Sequence, residues 1–256
     1  MRFRPCIDIH NGKVKQIVGS TLSDDSAREN FVADKDADYY ASIYKDHGLS
    51  GGHIILLNKA GTQEYELTKK QAFKGLNAYR NGMQIGGGIN CDNAGGFIEA
   101  GASHVIVTSF VFSDGVVNEN NLKKLVNSVT REKIVLDLSC RRVDDRYVIA
   151  TDRWQKLTKV DITYDALDYF ASFCDEFLIH AVDVEGKQSG IEQNLLEYLS
   201  GWEGLPVTYA GGVRSLDDMK LIREIGHDRI DVTVGSALDL FGGKLKFDEA
   251  VKLCDR

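Results

Sequence analysis

The chain has 256 residues, 43% of them hydrophobic and 27% charged, with a formal net charge of −7. That is the composition of a globular protein large enough to bury a substantial core, as two small domains or one large one. The acidic balance without a basic cluster excludes a nucleic acid or an anionic membrane as the expected partner, and no apolar run has the length of a membrane span.

The first residues, Met1 to Arg4, run directly into an apolar stretch carrying Asp8, which is not the pattern of a signal peptide. Cys6, Cys91, Cys140, Cys174 and Cys254 are odd in number, widely scattered and without a CxxC pair. They point to a reducing cytoplasm rather than to a disulfide framework or a zinc site. Cys6 and Cys140 lie near the aspartates discussed below and read best as small apolar fillers. With two prolines and no low-complexity stretch there is no obvious linker, so one domain over 1–256 is expected.

Strands are predicted over 3–9, 53–57, 83–85, 104–108, 134–138, 177–180, 207–209 and 230–234. Amphipathic helices are predicted over 36–46, 64–79, 92–99, 120–129, 164–173, 195–199, 215–224 and 247–253. The strands are apolar on both faces, as a parallel sheet covered by helices requires. Eight βα units in this length predict a (β/α)8 barrel, the TIM-barrel fold. Two connections are long, one over 19–34 after the first strand and one over 141–161 after the fifth. Both read as lids over one pocket.

The chain also repeats itself. Asp8 ends the first strand and Asp137 the fifth, Gly87-Gly88 recurs as Gly211-Gly212, and Thr108-Ser109 recurs as Gly235-Ser236. All three recurrences fall at nearly equal offsets of about half the chain, which predicts two duplicated half-barrels. Glycine turns let backbone N–H groups approach an anion, and helix starts favour phosphate. Two such places, at Gly87, Gly88, Thr108 and Ser109 and at Gly211, Gly212, Gly235 and Ser236, predict a small-molecule substrate with a phosphate at each end. Each Gly pair alone is equally compatible with a plain tight turn; the duplication favours the anion.

Asp8 and Asp137 would then flank the middle of the bound molecule, as acid and base. One of them must have a raised pKa to act as an acid at neutral pH, and burial is the expected cause. Around them, His10 and His180 lie at the catalytic end, and Trp154 is placed to stack on a planar ring or to anchor its own loop. His47 and His227 fall in helix or loop surroundings, and His53 and His104 at strand starts. Asp183 and Glu185 lack the His/Cys spacing of a metal site, so no metal is expected.

The segments Cys6 to Gly12, Gln84 to Ile89, Val135 to Arg141 and Trp154 to Thr158 resemble the phosphoribosylformimino-5-aminoimidazole carboxamide ribotide isomerase family of histidine biosynthesis. Phe177 to Gly186, Tyr209 to Val213 and Gly235 to Gly243 extend the resemblance across the whole chain, to the fungal and plant branch in particular. The resemblance implies an Amadori rearrangement of a bis-phosphorylated aminoaldose to an aminoketose without a cofactor. Asp137 would be the general acid that opens the ribose ring and Asp8 the base that takes the C2 proton. His10, Trp154, His180 and Asp183 would contact substrate, and the protein would act as a cytoplasmic monomer. Bacterial members have a Thr after strand six where this chain has Ala181; either His180 or Asp183 takes its part, or the residue is dispensable here.

The cyclase subunit of imidazole glycerol phosphate synthase shares the half-barrel repeat, the aspartates and the phosphate sites, and Arg141-Arg142-Val143-Asp144 is somewhat similar to it. That cyclase gates ammonia with a ring of charges at the barrel base, whereas the strand starts here offer Arg2, His53, His104 and Glu176. Trp154 also favours the isomerase. Phosphoribosylanthranilate isomerases use a substrate with one phosphate. A silent phosphometabolite-binding barrel is the reading from a different class, and it predicts that Asp137→Asn leaves function intact.

Overall fold

The computed structural model describes residues 1–17, 29–184 and 190–254. Eight parallel strands among them follow one another in chain order: β1 (Cys6–His10), β2 (Gly52–Leu56), β3 (Met83–Gly86), β4 (Val105–Val107), β5 (Ile134–Asp137), β6 (Glu176–His180), β7 (Val207–Ala210) and β8 (Ile230–Val232). The ends of this sheet meet. Phe3 bridges Val232 in parallel, Arg4 N–H donates to the Val232 carbonyl, and Val232 N–H donates to that of Arg2. The fold is a closed (β/α)8 barrel.

Its helices are α1 (Ala37–Asp46), α2 (Gln63–Ala78), α3 (Ala94–Glu99), α4 (Glu119–Val129), α5 (Tyr164–Ala171), α6 (Gln193–Ser200), α7 (Leu216–Ile225) and α8 (Phe247–Cys254). Four start on a side chain that accepts a backbone N–H of the first turn: Thr62 for α2, Asn118 for α4, Thr163 for α5 and Ser215 for α7. Such caps each hold a donor that the helix itself leaves unsatisfied. All eight predicted strands and all eight predicted helices are present, with ends shifted by a few residues.

Closure gives each strand an inner and an outer face, alternating with period two. Outward residues such as Ile7, Ile9, Ile134, Leu136, Phe177 and Ile179 are buried against the helices in the large core. Inward ones form a separate small cluster of Ile106, Val135, Leu178 and Ala210, with Ile55 packed on it. The same parity turns Asp8, two residues beyond Cys6, and Asp137, two beyond Val135, toward the interior at the C-terminal end. β1 and β5 stand on opposite sides of the closed order.

The base of the interior is ionic. Arg4 is buried, with Nη2 2.9 Å from Glu176 Oε2 and Nε 2.9 Å from Asp231 Oδ2. Gln84 and Thr208 donate to the Glu176 oxygens as well. Arg2, expected in this ring, is largely exposed and pairs from the mouth with the same Asp231 oxygen as Arg4, at 2.8 Å. Arg2 shares the parity of Arg4 but lies two residues nearer the N-terminal mouth, where its side chain is more than half exposed.

The long connections differ from plain lids. The one over 141–161 is a three-stranded antiparallel sheet, Cys140–Val143, Arg146–Thr151 and Lys156–Asp161. After β1 the chain turns back as Lys13–Ile17, which pairs with both β1 and Glu29–Val32. Residues 18–28, the middle of the first expected lid, lie outside the described part. A further short hairpin joins Phe112–Ser113 to Val116–Val117.

Removing Arg4 leaves the Glu176 carboxylate buried without its cation, while Asp231 keeps Arg2. Arg4→Met is therefore expected to lower the unfolding free energy by about 3–5 kcal/mol, read as a lower urea midpoint at unchanged m-value. Lys123→Ala, which breaks only the exposed Lys123–Glu119 pair, leaves that midpoint in place.

Candidate active site

A cavity of about 760 Å³ opens at the C-terminal end of the barrel. It brings together Gly87, Gly88, Thr108, Ser109, Asp137 and Trp154 of the predicted set. Asp8, His10, His180, Asp183, Gly211, Gly212, Gly235 and Ser236 do not line it. A cavity of similar size, about 750 Å³, lies at the N-terminal end between Met1, Trp202 and Asp228 and holds none of the candidates.

Asp137 is held from its own strand end and from the next strand. Ser139 donates to Asp137 Oδ1 twice, from its backbone N–H at 2.8 Å and its hydroxyl at 2.5 Å. His180, the last residue of β6, places Nδ1 3.9 Å from the same oxygen, beyond hydrogen-bond length but within reach of its charge. Burial by itself raises the carboxyl, but the His180 imidazole and the two Ser139 donors outweigh it and hold Asp137 below the ordinary carboxylate range. The expectation that burial raises the acid thus fails at Asp137, because the carboxylate has more donors than the desolvation can offset.

Asp8 has a different partner. Gln16, buried on the strand after β1, donates its amide to Asp8 Oδ2 at 3.3 Å. A Cβ on Gly235 would come within 2.6 Å of Gln16 Oε1, so the small residue after β8 makes room for this amide. Neither Gln16 nor Ser139 stands among the residues that the sequence singles out. Ser139 carries a signal, Asp-x-Ser at a strand end; Gln16 carries none.

Trp154 sits in the turn of the three-stranded sheet, where Asp152, Arg153 and Trp154 all have left-handed backbone, with φ of 51°, 57° and 64°. That conformation is unfavourable for a bulky side chain and has to be held from outside. Ser109 Oγ accepts the Asp152 N–H at 3.0 Å, and Lys156 pairs with the Asp152 carboxylate at 2.7 Å. The outcome is an indole whose ring centre lies 5.4 Å from that of His180.

The glycine pairs repeat in three dimensions. Gly87 and Gly211 have φ of +98° and +119°, and a Cβ would come within 2.0 Å of the Leu56 carbonyl oxygen and 2.8 Å of the Ala181 one. Each therefore passes against the end of the preceding barrel strand, in matching positions of the two halves. This close packing accounts for the glycines without an anion. The turns that follow differ: a 3-10 helix begins directly at Ser109, whereas after Ser236 one begins only at Asp239.

His10 ends β1 and is buried. Asp183 is exposed after β6 and accepts the Arg142 N–H at 2.8 Å; its expected neighbour Glu185 lies outside the described residues. Among the described residues no three His, Cys, Asp or Glu side chains cluster as metal ligands, and no helix is long and apolar enough to cross a membrane.

The model of the histidine biosynthesis protein family matches residues 2–246. The chain belongs to that family. It is 51% identical to a relative from Medicago truncatula over 98% of this chain and 81% of that one. It is 46% identical to one from Yarrowia lipolytica, covering 98% and 97%, and 43% identical to one from Neurospora crassa, covering 95% and 94%. All three are named as imidazole-4-carboxamide isomerases whose names carry two phosphoribosyl groups, the Medicago protein as chloroplastic.

In this family member the Ser139 donors stabilise the ionised form of Asp137. The folded pKa lies below the unfolded one, so the stabilisation is present above the ordinary carboxyl range near ~4 and is lost as pH falls through the lowered value. Ser139→Ala is expected to reduce stability at neutral pH by about 1–3 kcal/mol, with the gap to the parent protein closing in acid. Urea unfolding at pH 7 and in the acid range checks it.

Proposed function

We propose that this chain is an aldose–ketose isomerase of histidine biosynthesis that converts a bis-phosphorylated aminoaldose to the aminoketose by an Amadori rearrangement. The observation that carries the reading is the pair of inward carboxylates at the C-terminal ends of opposed strands, each held by its own donors. It stands in a chain whose relatives, at up to 51% identity over nearly its full length, carry the isomerase name.

In this reading Asp137 serves the acid step, in which the ribose C1–O bond breaks and the ring oxygen takes a proton. Asp8 then removes the C2 proton of the resulting imine, giving an enolamine that becomes the ketose. Gly87, Gly88, Thr108 and Ser109 hold one phosphate and Gly211, Gly212, Gly235 and Ser236 the other, so that binding energy spent at the ends orients the reacting centre. Trp154, with His10, His180 and Asp183, contacts the body of the substrate. No cofactor enters. One barrel domain over 1–256, acting as a monomer, would suffice, and the scattered cysteines favour the cytoplasm.

The cyclase reading loses one of its counter-arguments. The base of the barrel does carry charges of both signs, Arg4 with Glu176 and Asp231, so the ring composition no longer separates the two. The relatives' names favour the isomerase.

Incubation with the purified aminoaldose should give ketose without ammonia. Asp8→Asn and Asp137→Asn are each expected to lower turnover by at least about a hundredfold while substrate still binds. Reaction only when ketose and ammonia are supplied together would transfer the assignment to the cyclase, and wild-type turnover in either variant would remove that residue from the chemistry.

A further inference from the structure

An acid step at neutral pH needs a proton, and Asp137 is held as a carboxylate. A carboxyl held below the ordinary carboxylate range is almost wholly ionised at pH 7. The proton must therefore be stored beside it. We propose that His180 is the proton-holding partner of Asp137, its imidazolium supplying, through that carboxylate, the proton that the ribose ring oxygen receives. The proposal rests on the isomerase reading and deepens it.

Three observations converge on His180. Its Nδ1 lies 3.9 Å from Asp137 Oδ1, and contacts between acid–base groups are commonly loose until substrate is bound. The two Ser139 donors fix that same oxygen, so the carboxylate keeps one position between imidazole and cavity. The strained turn places Trp154 against the imidazole, which restricts its orientation.

The duplication supplies an independent comparison. Gly86 on β3 is level with Ile55 on β2, and Ala210 on β7 is level with His180 on β6. Ile55 is thus the residue of the first half that matches His180. An ionisable partner stands only on the side of Asp137 in this matched pair, the side assigned to ring opening.

Two groups around the pair carry no charge of their own near pH 7. His53, on β2, is pushed down to about 3 by burial first and by the His180 charge second, and so is neutral near pH 7. The Cys140 thiol is raised by burial and by the nearby Asp183 and Asp137 charges, and stays protonated. Trp154 carries no charge. A carboxylate beside an imidazole favours the imidazolium, and an ordinary imidazole titrates near ~6.5.

The protons balance over one turnover. His180 gives Nδ1–H by way of Asp137 to the ring oxygen as the C1–O bond breaks and the exocyclic nitrogen lone pair forms the imine. Asp8 takes the C2 proton. The enol O–H proton then returns through Asp137 to the neutral imidazole as the carbonyl forms, and Asp8 delivers its proton to C1. Nothing is oxidised or reduced beyond the internal exchange of the isomerisation.

The experiment measures kcat and kcat/KM against pH for the wild type, His180→Asn and Asp137→Asn, with substrate affinity and the His180 imidazole titration by NMR. Activity should fall as pH rises through the titration of the pair. His180→Asn should lose kcat by on the order of a hundredfold with affinity changed less than about threefold. Its residual rate should rise toward acid, because Asp137 must then carry its own proton. In Asp137→Asn the His180 midpoint should move down by at least ~1 pH unit, the loss of a neighbouring opposite charge; this readout does not depend on turnover. An unmoved midpoint overturns the proposal, as does a wild-type pH profile in His180→Asn. A wild type that leaves the aminoaldose unchanged defeats the isomerase reading itself, and the proton-holding role of His180 falls with it.

Discussion

Closure of the parallel sheet is the constraint on which the rest depends. Once Phe3 meets Val232, every strand has an inside and an outside, and period two decides which side chains share the interior. The inward series Arg4, Cys6, Asp8 along the start of the chain passes from a buried ion network to a small thiol to a carboxylate at the open end. Glu176, Leu178, His180 repeats the sequence of charge, apolar layer and titratable group on β6. The ion network, the apolar cluster around Val135 and the candidate chemistry are therefore successive levels of one interior. A slip of one residue in any of these strands would exchange its chemistry for its core.

The levels also explain why charge can be buried at the base without harm to the upper end. Arg4 is satisfied by Glu176 and Asp231, and Glu176 by Gln84 and Thr208 in addition. Such a network contributes little net stability compared with an apolar core, since desolvation offsets the Coulomb gain. What it does is fill the interior below the apolar layer with groups that need one particular partner.

The barrel is legible in the sequence because its signals are long-range in sequence and local in physics: apolar runs of strand length, amphipathic stretches between them, and matched features in the two halves. Asp8 and Asp137 are legible because a carboxylate ending an apolar run is chemically conspicuous. The turn carrying Trp154 reads as part of a lid, although Tyr147 to Thr151 has the composition of a strand, since a sheet outside the barrel has no partner that a periodic pattern reveals. Arg2 takes the place of Arg4 at the base in the sequence reading because the two share one parity, and strand limits off by two residues exchange one for the other. The contacts that reach the aspartates from other segments are hidden for another reason. Gln16 reaches Asp8 only because the chain reverses after His10, and His180 reaches Asp137 only because β5 and β6 are neighbours. The state of Asp137 follows from these contacts and not from its depth, which is why the expectation of a raised acid points the wrong way.

Duplication and asymmetry have to be reconciled in such a molecule. The two halves retain the same barrel-strand backbone, down to Gly87 and Gly211 passing equivalent carbonyls. Backbone equivalence is enforced, because both halves must join into one closed sheet and both glycines pack against a strand end. Side chains at the open rim carry no such obligation. There the halves diverge: Asp8 has a neutral amide from the strand that follows it, while Asp137 has a serine within its own segment and an imidazole from the next strand. An acid and a base made from the same residue type must differ in surroundings if they are to differ in proton affinity. A fold that fixes the strands and frees the rim allows that difference, and in this chain it lies in the partners of the two carboxylates.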